Sequence, residues 1–102
     1  ARRVRGARMR KYSVLIDVDA ETFLEKLPEK SNRIVKEALL SLGDDPIPGK
    51  GDKELLGKGI YRIHIGRSYT AAYKISVEEK RVIILWLGTI EQAHKLYGRL
   101  LE

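Results

Sequence analysis

The stretch from Ile60 to Ile75, I-Y-R-I-H-I-G-R-S-Y-T-A-A-Y-K-I, holds the densest set of chemically capable groups in this 102-residue chain. Successive side chains of a strand point to opposite sides, so Tyr61, Ile63 and Ile65 share one face and Arg62 and His64 the other. A cation and an imidazole on one sheet face are the residue types needed to hold an anion and to move a proton beside it. Gly66 to Ser68 interrupts the alternation as a short turn does, and Tyr69, Ala71, Tyr73 and Ile75 resume it, which predicts a hairpin within an antiparallel sheet.

Other chemistry is sparse. The absence of cysteine excludes disulfides and thiolate metal sites, and His64 and His94 alone cannot make a metal centre. No carboxylate spacing completes one, so neither a metal nor another cofactor is expected. Gly49 to Gly51, G-K-G, is too short for a phosphate loop and is expected as a turn. His94 falls on an apolar helical stripe with Ile90, Ala93, Tyr97, Leu100 and Leu101, which predicts a packed, hydrogen-bonded histidine rather than a base. Tyr61, Tyr69 and Tyr73 alternate with the buried face and are expected in the core. Tyr97 fits either a helix-to-sheet gap or a cleft wall.

The elements that must position these residues follow from periodicity. Tyr12 to Ile16 reads as a strand. Asp19 is the expected N-cap of a helix through Leu27 with Ala20, Phe23, Leu24 and Leu27 inward. A second helix, from Glu29 or Ser31 to Leu42, presents Ile34, Val35, Ala38, Leu39 and Leu42, with Gly43 behind it. Asp44 to Gly59, with two of the three prolines and four of the nine glycines, reads as a loop anchored by Leu55 and Leu56. Arg81 to Leu87 is apolar on both faces and is expected to be the most buried strand, with Trp86 in the core. Gly88 ends it, and Thr89 with Gln92 forms a T-x-x-Q capping box for a last helix. The expected fold is α+β: a small antiparallel sheet flanked by an N-terminal helical hairpin and a C-terminal helix.

Length allows one domain, and 43% apolar residues fit a globular chain. No apolar run reaches ~18 residues and the basic N-terminus lacks an apolar continuation, so neither a membrane span nor a signal peptide is read and a cytoplasmic location is expected. The lack of cysteine, a single Asn and a single Gln, set against 33% charged residues, is the bias of heat-adapted proteins. The net charge of +6 is uneven: Arg2, Arg3, Arg5, Arg8, Arg10 and Lys11 carry it, and the other 14 cations match the 14 acids. Residues 1–9 are therefore expected as a basic, disordered arm on a domain covering 10–102. Within the domain, residues 50–74 hold six cations and two acids, a field suited to RNA or an acidic protein.

The order of strand, helix hairpin, Pro-containing linker, L-x-G, Y-R-I-H-I-G, a strand ending in Tyr73, an apolar strand ending in L-G, and a helix with a late Tyr resembles the RelE/ParE superfamily of toxins over residues 10–102. The resemblance implies a type II toxin neutralised by a cognate antitoxin. In the RelE branch it implies metal-free cleavage of ribosome-bound mRNA by attack of a ribose 2′-hydroxyl on the adjacent phosphate; in the ParE branch it implies poisoning of DNA gyrase. Carried over by position, Arg62, His64 and Tyr97 are the expected catalytic residues. Lys53, Lys58, Arg67 and Lys74 are the expected RNA contacts. Thr70 and Thr89 stand where the RelE branch has cations, which predicts weak cleavage and leaves open a non-cleaving toxin of the same fold. A small basic RNA-binding protein is the reading outside the toxins.

Overall fold

The computed structural model describes residues 2–4, 11–48 and 52–100, with side chains as far as residue 96. In chain order the elements are β1 (Arg2–Arg3), β2 (Ser13–Ile16), α1 (Val18–Lys26), α2 (Glu29–Ser41), β3 (Lys53–Gly57), β4 (Ile60–Ile65), β5 (Tyr69–Ser76), β6 (Arg81–Thr89) and α3 (Ile90–Leu100). The strands form one sheet in the order β1-β2-β6-β5-β4-β3. Among the described residues no helix is long and apolar enough to cross a membrane.

The sheet is mixed, which corrects the antiparallel expectation. β3 to β6 pair as consecutive antiparallel neighbours, but β2 lies parallel to β6, with Val14 beside Val82 and Ile16 beside Ile84. A parallel neighbour needs a long crossover, and the helical hairpin begins it immediately after β2. Asp17, not Asp19, stands at the start of α1, and its N–H donates to the Ile84 carbonyl at 3.0 Å, so the chain leaves the sheet as soon as the parallel pairing ends.

A second correction concerns the stretch expected as loop. Lys53–Gly57 is a strand on the outer edge of the sheet, paired with β4 and bulged between Leu55 and Gly57. Its sequence K-E-L-L-G has no alternation, because an edge strand with Leu55 half exposed needs no apolar face. The turn into β4 takes Gly57, Lys58 and Gly59 through positive φ, a conformation that two glycines make accessible.

The third correction is at the N-terminus. Where a structureless arm is expected, Arg2 and Arg3 pair antiparallel with Ile16 and Leu15, and the Val4 N–H donates to the Val14 carbonyl. Val4 is buried in the main core, and Arg2 meets Glu21 at 3.2 Å. The free edge of β2 and an apolar side chain outweigh the repulsion among the arginines. Residues 1 and 5–9 of the expected arm lie outside the described residues.

The core forms where α1 and α2 cover one sheet face. Ala20, Leu24, Val35, Leu39 and Leu42 meet Val14, Ile16, Ile63, Ile65, Ala71, Tyr73, Val82, Ile84 and Leu87. The Asn32 side-chain amide donates to the Leu24 carbonyl at 2.8 Å and ties the two helices together. Ile34, expected inward, is 47% exposed because the inward stripe of α2 centres on Val35 and Leu39. β6 is central, yet it buries only one face fully: Val82, Ile84 and Leu87 are buried while Ile83, Leu85 and Trp86 are half-buried. Trp86 lines a cavity of about 460 Å³ with Phe23, Leu87, Gln92 and Leu96, so it stands at the border of the core rather than within it.

Candidate functional site

Antiparallel pairing of β4 with β5 sets Arg62 opposite Ala72 and His64 opposite Thr70, on the sheet face turned away from the α1–α2 core. Lys74, two residues beyond Ala72, is exposed on the same face. On the other side of Arg62, β3 places Glu54 directly opposite. The Arg62 side chain is only 15% exposed, and both ends of its guanidinium are engaged: Nη1 donates to the Asp52 carbonyl at 2.9 Å and Nη2 to Glu54 Oε2 at 3.0 Å. The His64 N–H donates to the same Asp52 carbonyl at 3.0 Å, so one backbone oxygen locks both residues in register.

This setting determines the state of the imidazole. Burial first, and the Arg62 guanidinium second, hold the His64 pKa below its ordinary 6.5; Asp52 and Glu54 oppose the shift and His94 adds to it. At neutral pH His64 is therefore an uncharged imidazole, able to accept a proton, beside a permanently charged and fixed guanidinium.

The expected site residues divide accordingly. Arg62, His64 and Lys74 share a face. Lys53 does not: it pairs with Ile63 on the core side, and its Nζ donates to the Asp45 carbonyl at 2.7 Å and lies 3.4 Å from the Asp45 carboxylate. Lys58, in the β3–β4 turn, and Arg67, in the β4–β5 turn, stand at opposite ends of β4, so they do not form one patch. The Tyr97 side chain lies outside the described residues. His94 is exposed instead of packed, because Ala93 takes the inward position of α3 and the next residue turns about 100° away.

The two threonines expected to stand at cation positions of the RelE branch have structural occupations. Thr70 is fully buried, and its Oγ1 donates to the Ile63 carbonyl at 3.0 Å. Thr89 forms the expected capping box: the Gln92 N–H donates to Thr89 Oγ1 at 3.2 Å, and the Thr89 N–H donates to Gln92 Oε1 at 3.0 Å. Gly88 between them leaves room for both neighbours: a Cβ there would lie 2.5 Å from the Trp86 indole and 2.8 Å from Gln92 Oε1, so these side chains would have to shift.

Tyr73 is a core residue as expected. Its ring stacks on Tyr61 at 5.5 Å and its Oη donates to the Pro46 carbonyl at 2.7 Å, which pins the segment leading to β3. Burial, then the neighbouring Tyr61, push its phenol well above the ordinary tyrosine range, so it takes no part in proton transfer. The residues missed from sequence are Glu54 and Asp52. Their signal was present as the only two acids between residues 50 and 74. Among the described residues no three His, Asp or Glu side chains gather as a metal site would require.

Comparison with known proteins agrees with this architecture. Residues 14–93, which include both Arg62 and His64, match the family described as the ParE toxin of the type II toxin-antitoxin system parDE. No curated protein matches the chain. The chain is similar to a solved structure of the RelBE2 toxin-antitoxin complex of Mycobacterium tuberculosis, with 27% identity, a TM-score of 0.65 and coverage of 78% of this chain and 98% of the other. It is likewise similar to the archaeal RelE-RelB complex of Pyrococcus horikoshii, with 26% identity, a TM-score of 0.60 and coverage of 78% and 94%. The isolated RelE toxin of Escherichia coli, at 20% identity, TM-score 0.64 and coverage of 88% and 99%, shares the fold. With the family model matched over most of its length, the chain belongs to the ParE toxin family of type II toxin-antitoxin systems, within the RelE/ParE superfamily.

Proposed function

We propose that this toxin acts on RNA through the Arg62 and His64 face, cleaving ribosome-bound mRNA weakly, and that a cognate antitoxin neutralises it. The observation that carries the reading is the placement of Arg62 and His64 on one sheet face, both tied to the Asp52 carbonyl, with burial and Arg62 holding the His64 pKa down. In this reading His64 takes the proton of a ribose 2′-hydroxyl as its oxygen attacks the adjacent phosphorus. The bond to the 5′-oxygen of the next nucleotide breaks, leaving a 2′,3′-cyclic phosphate and a 5′-hydroxyl that takes its proton from the His64 imidazolium or from water. Arg62 offsets the charge that develops on the phosphorane oxygens. Lys74 and, from the hairpin turn, Arg67 hold the flanking backbone, while Tyr97 orients a base. Lys53 is left out because Asp45 engages it. The similar structures from M. tuberculosis and P. horikoshii are toxin-antitoxin complexes, which supports a protein antitoxin as partner.

Activity is expected to be low. An absent charge-stabilising donor commonly costs about 2.7–4 kcal/mol, or roughly a hundred- to a thousand-fold in rate. Two such positions are threonines committed to the core and to a helix cap. The same observation favours a second reading, a toxin that binds its target without cleaving it, such as a gyrase poison. Parallel assays of translation on purified ribosomes and of supercoiling by purified gyrase separate the two. Inhibition of translation with gyrase untouched is the expected result; the reverse overturns the RNA reading.

A further inference from the structure

We propose that Glu54 is a built-in competitor for substrate phosphate at Arg62, its carboxylate pairing with a guanidinium N–H that a phosphate oxygen would otherwise take. This rests on the RNA reading for its biological meaning, but the contact stands on geometry alone. A guanidinium recognises carboxylate and phosphate through the same planar N–H edges, so the two anions exclude one another where those edges are limited. At Arg62 two of the five N–H groups are already engaged, Nη1 with the Asp52 carbonyl at 2.9 Å and Nη2 with Glu54 Oε2 at 3.0 Å, and the side chain is 15% exposed, which narrows the approach of a further anion.

The exposures say which partner yields. Arg62 is 15% exposed and held by backbone, whereas Glu54 is 58% exposed and stands on the edge strand, next to a bulge. An arriving phosphate therefore displaces the carboxylate and leaves the guanidinium in place. A lone anion must overcome that competition unaided. A polyanion that also reaches Lys74 on the same face gains a second contact, so Glu54 selects extended phosphate backbones over isolated anions.

The probe is inorganic phosphate, titrated into the folded protein and followed by NMR at the Arg62 Nε–H. Glu54→Gln, which retains a neutral acceptor, and Glu54→Ala, which removes it, should half-saturate at phosphate concentrations roughly two- to five-fold lower than the native protein, the span an ion pair of this exposure supports. The gain should vanish when Arg62→Ala is added. Equal half-saturation in the native protein and both variants overturns the proposal. A second arm uses a short single-stranded RNA: both variants should bind it more tightly by a similar factor, with a salt slope steeper by about 0.7, the value for one further neutralised phosphate. RNA binding by none of the proteins, with the inorganic phosphate effect intact, contradicts the RNA reading and leaves the competition at Arg62 standing.

Discussion

At the scale of single residues, the candidate site sets Arg62, fixed by the Asp52 carbonyl and paired with Glu54, on one face with His64, whose pKa burial and Arg62 hold below its ordinary value. Because the His64 pKa is lower in the folded chain than its ordinary 6.5, the unfolded chain binds more protons between the two values. The stability this residue contributes is thus complete above pH 6.5 and declines as pH falls toward the folded pKa. Any RNA cleavage should follow the same form, rising with an inflection below pH 6.5 and flat by neutrality, and His64→Gln should erase that inflection. An inflection above 6.5, or one that survives the substitution, contradicts His64 as the base. Thr70 invites a different experiment. Placing a cation there with Thr70→Arg inserts a long charged group at a fully buried site and breaks the bond to the Ile63 carbonyl. It should lower stability by about 2 kcal/mol or more, measured by urea denaturation, and should not restore activity. Arg62 and His64 were legible in sequence because strand alternation alone puts them on one face. Glu54 was not, since its relation to Arg62 depends on a strand whose sequence carries no strand pattern.

At the scale of elements, the capping signal of α3 was legible, whereas the N-cap of α1 and the edge strand β3 were not. The capping box of α3 is a four-residue pattern, and it appears as expected with both reciprocal bonds. Thr89→Ala should cost about 1 kcal/mol, within the range for losing an N-cap side chain, detected as a lower thermal midpoint and early fraying of α3 in hydrogen exchange. No change would mean that packing of Ala93 alone holds the helix start. The all-apolar run of β6 suggested burial on both faces and a full core role for Trp86. Instead the short β2 covers only the first half of β6, leaving Trp86 beside a cavity. Its truncation to Ala should then cost less than the ~3–5 kcal/mol typical of a fully buried large aromatic, about 2 kcal/mol in the same denaturation assay.

At the scale of the whole molecule, the parallel pairing of β2 with β6 joins residues nearly seventy positions apart, and periodicity carries no information about such a partner. The edge strand β1 was hidden for a related reason: its arginines have no strand pattern, and its stability comes from the β2 edge and the pocket that takes Val4. Removing residues 1–4 should therefore destabilise the domain by roughly 1–3 kcal/mol, the worth of one buried valine, and should expose the β2 edge to self-association. Unchanged stability in urea would show that β1 contributes nothing to the fold. The central claim is that a weak RNA-directed activity resides on the Arg62 and His64 face. It is tested most directly by mapping RNA 5′ ends after incubating native and Arg62→Ala protein with mRNA-programmed ribosomes. The expected result is sparse, ribosome-dependent new 5′ ends with the native protein and none with Arg62→Ala, assayed at a temperature where that variant is shown to be folded. The absence of new ends with native protein, or robust cleavage that survives Arg62→Ala, would contradict it.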